Sequence, residues 1–315
     1  MSGGAGRACG SSGSPSRAAA WSLALIALLG QSARGAALSS HIVRSTPVTS
    51  GSLIIGRAVC PGRVWLLNEH LDLTEITPTT LAASTHAVTG FHRDERPWGL
   101  ACSADQTIWT LPAARTLARL TSSGKVVDRR PLGVPITALF AIGDRLLLAP
   151  APPVVGFPLL ATSLPARPDE RRAWPGLLGR AAASRVDLFA RNLVNCGMAF
   201  DRELPCWLTD ATEIVVSDGV QVRRISMPFV NQADIDREAP IRDVALIERS
   251  RAWVLATSAR MVNGRRAGGR LFLVADGHPL ADLLLPLNSR LIVAADAARC
   301  VLLTVDGHLI EVNAR

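Results

Sequence analysis

The segment from Pro97 to Gly133, PWGLACSADQTIWTLPAARTLARLTSSGKVVDRRPLG, contains four short apolar runs separated by turn residues. Each run has the length and the aliphatic, Thr and Trp content of a β-strand, and the dipeptide Ser123-Gly124 is typical of a tight hairpin turn. Four consecutive strands joined by short turns predict a four-stranded antiparallel sheet. Such a sheet must cover its apolar faces, which limits the folds available to a chain that repeats it.

The same unit recurs along the chain. The second strand of each unit is an apolar run that contains Trp65, Trp109, Leu148, Trp207, Trp253 or Leu302. A strand of small apolar residues precedes each of these runs, and Gly-containing turns join further strands. Six units of about 47 residues predict an all-β fold, a six-bladed β-propeller, with the tryptophans in the core between blades. A seven-bladed ring, in which 163–192 contains a further blade, and a β-sandwich array are the alternatives.

The last unit lacks its fourth strand before the chain ends. The segment Ser39–Val48, SSHIVRSTPV, alternates in polarity as a strand does, and we expect it to supply the missing strand. A mixed blade of this kind would close the ring and remove an exposed sheet edge.

The N-terminus has the pattern of a secretory signal peptide. Positive charge precedes an apolar run, Ala18–Gly30, and small residues then allow cleavage after Gly35 or Ala37. We therefore expect a signal peptide at 1–35, a propeller domain at 36–315, and a secreted or periplasmic bacterial protein. The apolar run is short for a stable transmembrane span, although an uncleaved anchor is the alternative.

Composition excludes several classes of function. Lys125 is the sole lysine among 34 basic residues, and the arginines do not gather in one run or in a nucleic-acid-binding motif. Nucleophile elbows, HExxH motifs, P-loops and Rossmann fingerprints are absent. The sequence thus favours a protein that is not an enzyme and does not bind nucleic acid.

Six cysteines are present, and Cys9 would leave with the signal peptide. An exported chain permits disulfides, and the hairpin-like span between Cys196 and Cys206 makes these two the preferred pair. Free buried thiols throughout are the alternative. Because five cysteines remain, at least one thiol stays free or pairs between chains. No spacing is typical of a zinc site.

Glu69 and His70 lie in the loop between the second and third strands of the first unit, on the face where propellers collect ligands. A carboxylate beside an imidazole could bind a ligand or transfer protons. Adjacent residues of an extended segment point in opposite directions, so a solvated turn is the alternative.

Asp234, Asp236 and Glu238 alternate before the fifth unit, which would place the three carboxylates on one side of a strand-like segment. Oxygen ligands of this kind suit Ca²⁺ or Mg²⁺, and these are the ions we expect there. A solvated loop neutralised by Arg237 and Arg242 is the alternative.

Two long loops, 163–192 and 258–270, interrupt the strand rhythm. Long loops in compact domains are often functional, and an exposed Trp174 beside two arginines and two prolines could bind a peptide, a sugar or an acidic partner. The alternatives are a loop that packs over a sheet edge and a solvated hairpin. The arginines concerned are Arg171, Arg172, Arg265 and Arg266.

The segment Pro97–Gly133 resembles a repeat of the NHL and streptogramin-lyase-like propeller group. The resemblance lies in the entry PWGLA, the acidic turn SADQ, the Ile-Trp strand, the arginine strand, the Ser-Gly-Lys turn and the Pro-Leu exit. It implies a propeller, and lyases of this group use a histidine and a metal-bound glutamate in late blades. Late units here contain His278 and His308, but Trp109 and Trp253 are not followed by the acidic residue of the group.

The sequence therefore predicts an exported, monomeric, non-catalytic propeller that binds a protein, glycan or small ligand on its loop face. A metal-dependent hydrolase or lyase of the lactonase kind is one alternative, with Glu69, Asp234 and Asp236 near the channel. A structural scaffold of the cell envelope is the other, and it predicts an apolar or plugged channel.

Overall fold

The computed structural model describes residues 37–42, 47–49, 51–103, 105–133, 135–142, 145–150, 160–163, 172–173, 193–198, 202–208, 213–217, 222–226, 241–247, 251–257, 261–262, 265–266, 269–286 and 288–314.

These residues form six four-stranded antiparallel sheets, numbered here in chain order. The first strand of the chain, β1 (Leu38–Ile42), belongs to the last sheet. Sheet 1 contains β2 (Ile54–Cys60), β3 (Arg63–Asn68), β4 (Asp72–Thr77) and β5 (Ala82–Ala87). Sheet 2 contains β6 (Trp98–Cys102), β7 (Ile108–Ala113), β8 (Thr116–Leu120) and β9 (Val126–Pro131). Sheet 3 contains β10 (Ile136–Ile142), β11 (Arg145–Pro150), β12 (Leu160–Ser163) and β13 (Arg172–Ala173).

Sheet 4 contains β14 (Leu193–Met198), β15 (Arg202–Leu208), β16 (Glu213–Ser217) and β17 (Val222–Ser226). Sheet 5 contains β18 (Ile241–Leu246), β19 (Arg251–Ala256), β22 (Arg270–Ala275) and β23 (His278–Leu284). Between β19 and β22, β20 (Met261–Val262) and β21 (Arg265–Arg266) form a separate two-stranded hairpin. Sheet 6 contains β24 (Ser289–Ala295), β25 (Arg299–Thr304), β26 (Leu309–Ala314) and β1. Within this described part of the chain, no helix is long and apolar enough to cross a bilayer.

The first and the last strand of the described part pair in sheet 6. Strand β1 pairs antiparallel with β26, from Leu38 opposite Ala314 to Ile42 opposite Ile310. The N-terminal segment thus supplies the fourth strand of the last sheet, as the sequence predicted. Pro47 and Val48, which the sequence also assigned to this strand, lie outside any strand.

The core lies between neighbouring sheets. Trp65 packs against Leu100 between sheets 1 and 2, and Trp253 packs with Ile292 between sheets 5 and 6. Trp109 lies in a third cluster between sheets 2 and 3, and a fourth cluster joins sheet 6 to sheet 1. The three tryptophans are 3% exposed or less, which confirms the prediction that they are core residues. Removal of these apolar faces from water holds successive sheets together.

A disulfide joins Cys60, at the end of β2, to Cys102, at the end of β6, with 5.4 Å between the Cα atoms. Sequence spacing did not indicate this pair, because its cysteines lie 42 residues apart and come together only when the first strands of sheets 1 and 2 pack side by side. Cys196 lies opposite Leu204 and Cys206 opposite Val194 in the backbone register. The side chains of these two cysteines are outside the described part, and their disulfide stays a prediction.

Gly307 allows the turn of sheet 6 to pack against the segment that leads from β1 to β2. Its φ is +82°, and a Cβ at this position would collide with the backbone carbonyl of Thr49. Gly62 has a similar φ of +73°, but a Cβ there meets no atom within 4 Å.

We expect Gly307→Ala to lower the free energy of unfolding by about 2 to 4 kcal/mol, because it adds a backbone clash to the strain of a positive φ. Gly62→Ala is the matched control and should cost about 1 kcal/mol from strain alone. Urea unfolding monitored by Trp fluorescence measures both. Equal losses in the two variants would contradict the packing of the turn on Thr49.

Candidate binding site on the loop face

One end of the sheets carries the turns between second and third strands and the connections to the next sheet; this end is called the loop face. Sheets 5, 6 and 1 bring exposed and charged side chains together there through a continuous set of hydrogen bonds. The loop-face site is defined here as Leu53, Glu69, His70, Arg242, Asn288 and Arg290.

In sheets 5 and 6, a β-bulge near the start of the first strand positions the two arginines of the loop-face site. The register of the first strand shifts at this point in sheets 1, 2, 3, 5 and 6. In sheet 5 the shift spans Ile241 and Asp243, and in sheet 6 it spans Ser289 and Leu291, so Arg242 and Arg290 are the extra residues. Bulges redirect the side chains that they contain.

Each of these arginines fixes a connection between sheets. Arg242 donates from Nε to Thr257 Oγ1 at 3.0 Å and from Nη1 to Asn288 Oδ1 at 2.6 Å and to Ser289 O at 2.5 Å. Arg290 donates from Nη1 to Ser52 O at 2.6 Å. Hydrogen bonds from a guanidinium are charge-assisted and stronger than neutral ones. The backbone of the loop-face site is therefore held in one arrangement from sheet 5 to sheet 1.

Glu69 ties the turn after β3 to the start of β2. Leu53 N donates to Glu69 Oε1 at 2.9 Å, and Glu69 N donates to Leu53 O at 2.8 Å. Asn68 Oδ1 accepts from His70 N at 3.0 Å and from Asp72 N at 2.8 Å. Both Glu69 and His70 are exposed, and the carboxylate of Glu69 acts here as a turn-forming acceptor.

An ion pair lies below the loop-face site, between the first strands of sheets 1, 5 and 6. Arg57 of β2 pairs with Asp243 of β18, and their side chains are 8% and 6% exposed. Arg57 Nη1 also donates to Ile292 O at 2.6 Å, and Ile292 N donates to Asp243 Oδ2 at 2.7 Å. This set of groups, Arg57, Asp243 and the Ile292 backbone, is called the clasp below.

The clasp completes the edge of β24. The first strand of a sheet has no strand on its inner side, so its backbone groups need other partners. The Asp243 carboxylate accepts the Ile292 N–H and the Arg57 guanidinium donates to the Ile292 carbonyl, which is what a neighbouring strand would do. Burial raises the pKa of the Asp243 carboxyl, and the Arg57 charge and the hydrogen bonds from Ile292 and Val244 oppose this effect.

Cys300 is the free thiol of the described part of the chain, and it lies in the core between sheets 5 and 6. Burial, with the negative charges of Asp243 and Asp296, raises the pKa of this thiol well above 9.0. The thiolate is the reactive form of cysteine, so Cys300 is a packing residue and not a nucleophile.

Several predicted site residues fall outside the described part: Trp174, Arg171, Asp234, Asp236 and Glu238. The backbone is described for Arg172, which lies in β13, and for Arg265 and Arg266, which form β21, but their side chains are not. Among the residues that are described, no group of three or more His, Cys, Asp or Glu side chains is placed to hold a metal ion.

Sequence reasoning did not single out Arg57 or Asp243. A signal for them was present, since Arg57 is the one charged residue of β2, Asp243 is the one acidic residue of β18, and the two charges have opposite signs. Burial of an unpaired charge is very costly, so such residues must find a partner. The sequence could not say that the partner lies 186 residues away.

Several solved structures are similar to this chain. YCF48 bound to D1 peptide matches with a TM-score of 0.50 and 11% identity, covering 87% of this chain and 96% of that one. The fold is a β-propeller. A streptogramin B lyase matches with a TM-score of 0.49 and 13% identity over 90% of this chain and 100% of that one. Virginiamycin B lyase from Staphylococcus aureus matches with a TM-score of 0.48 and 10% identity, covering 88% of this chain and 99% of that one. No family model and no curated protein sequence matches the chain.

We expect Asp243→Ala to lower the free energy of unfolding by about 3 to 5 kcal/mol, because Arg57 would remain buried without its carboxylate. Asp282→Ala is the control, since Asp282 also pairs with an arginine but is 41% exposed, and it should cost less than about 1 kcal/mol. The double variant Arg57→Met/Asp243→Leu should be more stable than Asp243→Ala. Urea unfolding of the four proteins tests the clasp, and a double variant that is less stable than the single one would contradict it.

The connection from sheet 1 to sheet 2 is held by a second ion pair. Arg129 Nη2 donates to Glu95 Oε2 at 2.9 Å and to Gly90 O at 2.6 Å, and His92 N donates to Glu95 Oε2 at 2.7 Å. Desolvation alone would raise the pKa of Glu95, but the hydrogen bonds from Arg129 and His92 and the Arg129 charge together lower it below 4.5.

Because the pKa of Glu95 is lower in the folded state, the carboxylate stabilises the protein above pH 4.5, and this contribution is lost as the pH falls through the folded pKa. We expect Glu95→Gln to cost about 1 kcal/mol at pH 7 and progressively less below pH 4.5. Asp94→Asn, at an exposed neighbouring position, is the control and should show no such trend. Urea unfolding between pH 3 and pH 7 gives the difference, and a constant difference over this range would count against the Glu95 contact.

Proposed function

We propose that this protein is an exported, non-catalytic, six-bladed propeller that binds a partner protein through its loop-face site. The observation that carries the proposal is the combination of a fixed backbone with exposed side chains. Arg242 and Arg290 lock the connections between sheets 5, 6 and 1, while Leu53 remains 51% exposed beside them. A rigid surface loses little conformational entropy when a partner binds.

The six sheets support a closed ring of six blades. Buried clusters join sheets 1 and 2, sheets 2 and 3, sheets 5 and 6, and sheets 6 and 1. Contacts between strands join sheet 3 to sheet 4 through β10 and β15, and sheet 4 to sheet 5 through β14 and β18. Most of the segment 163–192, on which a seventh blade would depend, lies outside the described residues.

The chemistry of the loop-face site suits a protein partner. Leu53 offers an exposed apolar side chain, His70 an exposed ring, and the arginines a positive rim. Protein interfaces are enriched in arginine and aromatic residues around an apolar centre. The predicted Ca²⁺ or Mg²⁺ site at Asp234, Asp236 and Glu238 stays a prediction.

Site-specific photo-crosslinking tests this function. A benzophenone amino acid is placed at Leu53 or His70 and, as a control, at Leu280, which is also an exposed leucine (42%) but lies on the outer strand β23. We expect one adduct of defined mass from Leu53 and His70 in cells of the source organism, and none from Leu280. Adducts of equal yield at all three positions, or none at the loop face, would reject the proposal.

The clasp favours a second candidate, a structural scaffold with a plugged channel. The buried Arg57–Asp243 pair bridges the first strands of sheets 1 and 5 across the edge of sheet 6, so ionic groups lie buried at the inner edges of these three sheets. The scaffold candidate also predicts tight association with other envelope components, but by outer surfaces. Crosslinks from Leu280 without crosslinks from Leu53 would favour it.

The disulfide supports export, since such bonds persist in oxidising compartments. We expect the protein from the periplasm or medium to begin at Ala36 or Leu38, and Cys60 and Cys102 to resist alkylation until a reductant is added. Intact mass spectrometry with and without dithiothreitol measures both. A full-length protein with alkylated Cys60 and Cys102 would show that the chain is not processed and exported.

A further inference from the structure

Strand β5 presents an open sheet edge to solvent. It is the outer strand of sheet 1, its sequence is Ala-Ala-Ser-Thr-His-Ala, and all of its residues except Ala83 are exposed. One side pairs with β4 in an uninterrupted register from Asp72 opposite Ala87 to Thr77 opposite Ala82. On its other side, no backbone hydrogen bond to a described residue is formed.

Other outer strands carry features that prevent pairing. Strand β9 contains Arg129, Arg130 and Pro131 and has a register shift against β8. Strand β23 contains Pro279 and Asp282, also with a register shift. Strand β1 lacks charged residues, but it contacts β23 of sheet 5. Charges, prolines and bulges are the devices by which proteins block edge-to-edge association, and β5 has none of them.

Strand β5 is also ordered in the absence of a partner. Thr85 Oγ1 lies 3.0 Å from Thr74 Oγ1 across the pair with β4, and it donates to Val48 O at 3.5 Å. The turn that precedes β5 is fixed by Leu81, whose φ is +56° and whose N–H donates to Thr77 O at 2.7 Å. A strand that is already ordered loses little entropy on pairing.

We propose that the outer edge of β5 is a docking site for an extended segment of a partner protein, which adds to sheet 1 as a fifth strand. Main-chain hydrogen bonds supply the affinity in this mode of recognition, and side chains on alternating positions supply the specificity. The site lies on the rim of the propeller and is distinct from the loop-face site.

The residues of β5 define the chemistry of the segment. Ala82, Ala83 and Ala87 are small and leave room beside them, which favours bulky β-branched or aromatic residues at the facing positions of the added strand. The strand contains no Asp, Glu, Lys or Arg, so an uncharged segment fits best. The occupant is therefore an uncharged, β-branched, extended peptide.

A second copy of this chain is the less suitable occupant. Six residues of strand extend over only about 20 Å. Pairing of two such edges covers less surface than the roughly 800 Å² per partner that a stable interface requires. A flexible segment, in contrast, can follow the edge closely without bringing a second globular body with it.

The test uses a fluorescein-labelled peptide, Thr-Val-Thr-Ile-Thr-Val, and the full mature chain. Ser84→Lys places a positive charge on the edge of β5, and such charges block the pairing of edge strands in other proteins. Ser122→Lys is the control and makes the same change at an exposed turn of sheet 2. We expect fluorescence anisotropy to show binding to the wild type and to Ser122→Lys, and at least about tenfold weaker binding to Ser84→Lys. Circular dichroism verifies that both variants fold.

Hydrogen–deuterium exchange locates the peptide. We expect slower amide exchange in 82–87 when the peptide is bound, with no change at Leu53 or Arg290. Absence of binding, equal binding to both lysine variants, or protection only outside 82–87 would overturn the proposal. Concentration-dependent dimers of the wild type that Ser84→Lys abolishes, with no peptide binding, would identify a second copy as the occupant and overturn it as well.

Discussion

The architecture depends on hydrogen-bond partners for the inner edge of sheet 6, the sheet in which the first and last described strands pair. Its first strand, β24, has no strand beside it on the inner side, and Asp243 and Arg57 take the place of one by bonding to Ile292. Because these side chains come from sheets 5 and 1, the clasp also joins the neighbours of sheet 6 to each other. Because the pair is buried, loss of either partner would leave an uncompensated charge in the interior and would strongly destabilise the protein.

The loop-face site is held in place by residues that neighbour the clasp in β18 and β24. Arg242 lies next to Asp243 in β18, and Arg290 lies two residues before Ile292 in β24. The bulges turn these arginines toward the connections of the following sheets, where they bond to Asn288, Ser289 and Ser52. The clasp and the loop-face site are thus adjacent levels of the same three sheets.

The rim of the propeller is formed by the edges of the outer strands. Three of the described outer strands are protected at their edges: β9 and β23 carry charges and proline, and β1 contacts sheet 5. Strand β5 contains no charged residue and no proline, and its register and its Thr74–Thr85 contact are regular. Loop face and rim therefore offer two surfaces of different chemistry, one of charged side chains and one of main-chain groups.

The sequence alone determined the repeated sheet, the buried tryptophans and the use of an N-terminal strand to complete the last sheet. These features follow from local patterns, since strand alternation and turn dipeptides act within a few residues. Only the tertiary structure decided the clasp, the bonds of Arg242 and Arg290, and the pairing of Cys60 with Cys102. Arg57 and Asp243 are separated by 186 residues and the cysteines by 42, and packing of whole sheets, which no local pattern encodes, sets which distant groups meet.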